Sequence, residues 1–90
     1  MRIINGSVFD GEGFVERDVH ADGGLFVGEA ACTEGDVVDA SGCYVIPGLV
    51  DLHFHGSAGA DISDGDLAGL HKMGAYEASR GITALCPATM

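Results

Sequence analysis

Apolar residues recur along this chain with two different periods, and the change comes near Pro47. Up to Val45 they fall in short alternating runs broken by Gly, Asn and Asp, the mark of small strands joined by tight turns. Arg2 to Ile4 and Ser7 to Phe9 flank Asn5-Gly6, a pair suited to a type I′ hairpin because both central residues tolerate positive φ. Phe14 to Ala21 alternates, Asp22-Gly23-Gly24 turns, and Leu25 to Val27 resumes. Val37-Val38-Asp39 precedes the turn Ala40-Ser41-Gly42, and Cys43 to Ile46 adds one more strand. Residues 1–47 are therefore expected to be the β-rich part of a small sandwich, with a packing role.

Beyond Pro47 the spacing lengthens. Leu49 to His55 reads as a strand, a run of small residues follows, and Asp64 to Arg80 reads as a helix. Ser63 or Asp64 suits the free amide hydrogens of its first turn, Asp66 suits the positive end of its dipole, and Gly81 suits a left-handed stop. Leu67, Leu70, Met73 and Gly74 recur at helical spacing, and Ile82 to Pro87 returns as a strand. Strand, helix, strand makes residues 48–90 one βαβ unit, whose right-handed crossover leaves the two strands parallel.

That unit carries the candidate chemistry. Side chains at i and i+2 share a strand face, so His53 and His55 point the same way as Asp51, while Val50, Leu52 and Phe54 take the opposite, packed face. Neutral imidazole is a common ligand for transition metals. Parallel strands also hold ligands at their carboxyl ends, where these histidines lie. His53 and His55 are thus candidate ligands for a divalent metal, and the competing reading is a structural pair hydrogen-bonded in a core. Gly56 and Asp61, in the loop that follows, are candidate substrate contacts, against their ordinary use as turn and cap residues. His20 and His71 read as surface residues.

Composition narrows the class. The chain has 90 residues, 47% of them hydrophobic, and a net charge of -10, so its long-range field repels nucleic acid and anionic membranes. Arg2, Arg17, Lys72 and Arg80 form no cluster. Three cysteines without a Cys-x-x-Cys pair argue against a disulfide framework or a zinc knuckle. No apolar run approaches the roughly 18 residues of a membrane span, and a cytoplasmic setting is the default expectation. The sequence stops just after a strand, which reads as the amino-terminal piece of a longer protein.

Val38-Asp39-Ala40-Ser41-Gly42, a short strand, and then Pro47-Gly48-Leu49-Val50-Asp51-Leu52-His53-Phe54-His55-Gly56 resemble the entry to the amidohydrolase superfamily, where a small β domain leads into the first strand of a metal-dependent (β/α)8 barrel. With Gly59, Asp61, Asp64, the stretch Tyr76 to Thr83 and Cys86-Pro87-Ala88-Thr89-Met90, the chain is most similar within it to the N-acetylglucosamine-6-phosphate deacetylases. The resemblance implies a mixed fold, the end of the sandwich followed by the first βαβ unit of the barrel. It further implies hydrolysis of an acetamide on an amino-sugar phosphate, in a homodimeric enzyme holding one or two ions of zinc or iron. His53 and His55 match the family's ligands on the first strand. The remaining ligands, the catalytic acid or base and the phosphate site have no counterpart up to Met90, so the 90 residues alone contain no catalytic residue and are expected to be inactive. A dihydroorotase-like cyclic amidase is the nearest alternative, though its usual arginine after the histidine pair is missing between Gly56 and Ser79. A non-catalytic β-rich assembly module is the other.

Overall fold

The computed structural model describes residues 1–33 and 35–90, which divide into two compact units, Met1–Pro47 and Gly48–Met90. In the first, β1 (Arg2–Phe9) pairs antiparallel with β2 (Phe14–Asp22), and β2 pairs antiparallel with β3 (Leu25–Phe26). The other edge of β1 takes two short parallel partners in succession, β4 (Val37–Asp39) along Arg2 to Ile4 and β5 (Tyr44–Val45) along Ser7 and Val8. Among the described residues of this unit the strands form one mixed sheet, not the two facing layers of a complete sandwich.

Asn5-Gly6 does not turn the chain. β1 runs straight through it, and the register to β2 steps from Ile3↔Val19 to Gly6↔Arg17, so β1 carries one extra residue. A type I′ turn needs positive φ at both central residues, and only Asn5 has it, at 61°. Its amide hydrogen goes to Asp18 Oδ1 (3.2 Å) and its side-chain amide to Asp39 Oδ1 (3.1 Å). Gly6 is needed for close approach, since a Cβ there would stand 2.6 Å from Val45 Cγ2 and 3.2 Å from Ala40 Cβ. The actual reversal lies at Asp10 to Gly13, where the Asp10 carboxylate accepts the amide hydrogens of Glu12 and Gly13. Gly23 and Gly24, both at positive φ, close the β2–β3 hairpin as expected from the sequence. Val8 on β1 and Ala40, just past β4, are buried, and Phe9, Phe14 and Tyr44 cluster with ring centroids 5.4 and 4.6 Å apart.

In the second unit β6 (Leu49–Phe54) and β9 (Ile82–Pro87) are parallel neighbours joined through α1 (Leu67–Ser79). The glycine-rich loop contains a small hairpin, β7 (Gly56–Ser57) with β8 (Ala60–Asp61), whose two turn residues Ala58 and Gly59 both have positive φ. A 3-10 turn over Ile62–Asp64 follows, and α1 starts later than expected. Its N-cap is Asp66, whose carboxylate accepts from the amides of Ala68 and Gly69, while Asp64 is occupied in a capping box with Asp61. Gly81, at φ 84°, ends the helix as anticipated.

The packed face of β6 is smaller than the alternation implies. Phe54 is buried, but Val50 is 56% and Leu52 76% exposed. The helix lies against β9 and the β7–β8 hairpin, so the β6 positions ahead of Phe54 gain little cover. On α1, Met73 is fully buried and Glu77, one turn later, is 7% exposed, whereas Leu67 and Leu70 remain open. No helix among the described residues is long and apolar enough to cross a membrane.

Candidate metal centre

His53 lies within β6 and His55 just beyond its last residue, and the backbone holds His55 from two sides. Its carbonyl accepts the amide hydrogen of Ile62 (2.8 Å), and Ala88, just past β9, donates its own to the carbonyl of the preceding residue, Phe54 (2.9 Å). The ring adds a third tie, with Nδ1 2.8 Å from Ala88 O. A carbonyl oxygen only accepts, so Nδ1 carries the hydrogen and Nε2 keeps a free lone pair. That tautomer is the one a metal ligand needs, fixed by a backbone carbonyl in the manner usual for ligating histidines.

The ring of His53 meets that of His55. Its Nε2 lies 3.1 Å from Nε2 of His55, with ring centroids 4.8 Å apart and the planes at 86°. Without an ion the contact is an N–H of His53 donating to the His55 lone pair. With one, both nitrogens present lone pairs to it. Two imidazoles bound to one zinc at 2.0–2.1 Å and the tetrahedral angle stand about 3.3 Å apart, so the observed separation is close to a chelating bite. His53 is exposed and His55 half-buried, so the pair is reached from solvent. Among the described residues no group of three or more His, Cys, Asp or Glu side chains gathers, and catalytic zinc usually takes three protein ligands. The two histidine nitrogens alone fall short of that number.

The other sequence candidates have structural partners. Gly56 pairs with Asp61 across the small hairpin, one residue beyond His55. A Cβ on Gly56 would overlap Ala60 O and lie 2.9 Å from Asp61 Cα, so glycine is required there by close backbone approach. The Asp61 carboxylate accepts the Ser63 amide hydrogen (2.7 Å) and caps the 3-10 turn. Asp51, which shares the histidine face in the sequence pattern, accepts the His53 amide hydrogen at Oδ1 (3.0 Å). Two features escape sequence reasoning: the Ser57 hydroxyl is buried without a hydrogen-bond partner, and Glu77 is a carboxylate in the packed face of α1. Neither shows in a periodic pattern, because serine reads as loop and glutamate as helix surface. An apolar groove of about 320 Å³ between Asp66, Leu70, Met73 and Pro87 includes neither histidine. The carboxylates held below the ordinary aspartate range lie in the first unit. At Asp10 the cause is the Glu12 amide followed by that of Gly13, and at Asp39 it is the Ser41 hydroxyl followed by the Asn5 side chain.

No family model and no solved structure matches the chain at a significant level. Curated proteins do. An N-acetylglucosamine-6-phosphate deacetylase of Lysinibacillus sphaericus is 38% identical over 55 residues, 61% of this chain and 14% of the relative. One of Vibrio furnissii is 41% identical over 46 residues, 51% of this chain and 12% of the relative. A dihydroorotase of Bacillus licheniformis is 42% identical over 57 residues, 59% of this chain and 13% of the relative. The chain thus spans about one seventh of the length of the first of these. Both kinds of relative are hydrolases of the amidohydrolase superfamily, and the likeness of this chain to that superfamily rests on all three.

Proposed function

We infer that these 90 residues supply the first two metal ligands, His53 and His55, of a metal-dependent amide hydrolase built on a (β/α)8 barrel. What supports this is the 3.1 Å approach of two Nε2 atoms, one of them held as a lone pair by Ala88 O, at the carboxyl end of a parallel strand. A divalent ion, zinc or iron, would supply Lewis-acid polarisation of an amide carbonyl and activation of water. The chain's own part is to hold the two imidazoles in register and to keep the approach open. The β7–β8 hairpin, with Ala58 and Gly59 at its tip and Ala60 opening β8, carries little side-chain bulk.

The substrate we propose is N-acetylglucosamine 6-phosphate, cleaved to glucosamine 6-phosphate and acetate, as the names of the first two relatives suggest. The activity would belong to a polypeptide of the relatives' length, acting as a soluble homodimer, and not to these residues alone. A cyclic-amide hydrolase is the second reading, favoured by the comparable identity to the dihydroorotase and opposed by the lack of arginine between Gly56 and Ser79.

Exchange of segments separates the two. Residues 1–90 replace the corresponding opening segment of the Lysinibacillus deacetylase in one chimera and of the Bacillus dihydroorotase in another. Acetate release by the first chimera, lost on His55→Ala, with no ring opening by the second, is the expected result. Dihydroorotase activity in the second chimera alone would reverse the assignment.

A further inference from the structure

We propose that Asp51 is a positioning residue for the histidine pair, acting through the backbone of a bulge in β6 and not as a ligand. The inference rests on the metal-site reading above. Pairing between β6 and β9 runs from Asp51↔Leu85 to Phe54↔Pro87, three steps on β6 against two on β9. β6 therefore holds one extra residue in the stretch that includes His53. A bulge bends its strand and re-aims the side chains it carries. It also interrupts the ladder, and here the Asp51 carboxylate takes up the amide hydrogen of His53 at 3.0 Å.

The rings that follow the bulge converge: the centroids of His53 and His55 are 4.8 Å apart and their Nε2 atoms 3.1 Å apart. Sequence spacing alone puts Asp51, His53 and His55 on one face. The structure separates them: two imidazoles meet, while Asp51 turns to the backbone, and no triad of metal donors exists among the described residues. His55 is fixed from the far side by Ala88 O. Asp51 provides the matching restraint on His53.

The test compares Asp51→Ala and Asp51→Asn with the unaltered chain, using zinc alone as the probe in titration calorimetry and, in metal-free protein, the exchange rate of the His53 amide and the contact between the two rings by NMR. Asp51→Asn keeps an oxygen acceptor and removes the charge. Its zinc affinity should stay within about threefold of the natural chain, because a neutral acceptor keeps the hydrogen bond at reduced strength. Asp51→Ala should weaken zinc by about 10- to 100-fold, as loss of an orienting partner does, expose the His53 amide to exchange and abolish the contact between the rings. Zinc bound as poorly by a folded Asp51→Asn as by Asp51→Ala would mean that charge or direct ligation matters, and would overturn the proposal. So would an unchanged ring contact in Asp51→Ala. Should the unaltered chain take up no more zinc than a His53→Ala, His55→Ala control, the metal reading fails, and the amide and ring-contact measurements still decide the role of Asp51. If Asp51→Ala does not fold, Asp51→Asn alone decides, by retaining or losing both the ring contact and the zinc.

Discussion

Each unit of the chain contains a strand that takes one extra residue, β1 in the first and β6 in the second, where β9 also takes one between Ile82 and Ala84; the bulges of β1 and β6 are built alike but carry different side chains. β1 takes its extra residue between Ile3 and Gly6, β6 between Asp51 and Phe54, and each spends three residues against two on its partner. In both, an aspartate accepts an amide hydrogen inside the irregular stretch, Asp18 from Asn5 and Asp51 from His53. In the first unit the bend serves assembly, because it lets one edge of β1 change partner from β4 to β5 while Gly6 slips beneath Val45. In the second the residue whose amide is caught carries an imidazole of the proposed metal site. A local hydrogen bond accompanies each bend, and the two bends differ in the side chain placed on them.

The residues at which regular pairing resumes, Phe54 in one unit and Gly6 in the other, give the sharpest contrast. Phe54→Ala should cost about 3–5 kcal/mol, the range for a buried aromatic truncated to alanine, whereas Leu52→Ala two residues earlier should stay within about 0.5 kcal/mol because its side chain is mostly in solvent. Urea unfolding followed by circular dichroism measures both, and equal losses would mean that the outer face of β6 is covered after all. Gly6→Ala should cost less, about 1–3 kcal/mol by overpacking. The atom it meets is a methyl of Val45, which a Val45→Ala change in the same chain removes. Failure of that second change to restore stability would place the constraint in the backbone and weaken the likeness between the two bulges.

Much of the frame was legible in the sequence because it rests on short-range chemistry. Gly23-Gly24 and Gly81 announce positive φ, and the strand, helix and strand after Pro47 follow from periodicity. The convergence of His53 and His55 was legible as a shared face. What the sequence hid depends on partners distant along the chain. Asn5-Gly6 reads as a turn until β4 and β5 are seen claiming the far edge of β1. Leu52 reads as core because alternation says which face a side chain takes, not whether anything covers that face. Asp51 reads as sharing the histidine face, and its turn to the His53 amide is hidden because a one-residue bulge leaves no trace in the pattern.

Nitrogen NMR of the chain with 15N-labelled histidine, recorded as zinc is added, tests the central claim most directly. The account predicts that His55 keeps its hydrogen on Nδ1 throughout, and that the Nε2 signals of His53 and His55 move together while those of His20 and His71 do not. Zinc shifts at Nδ1 of His55, or equal shifts at all four histidines, would contradict it.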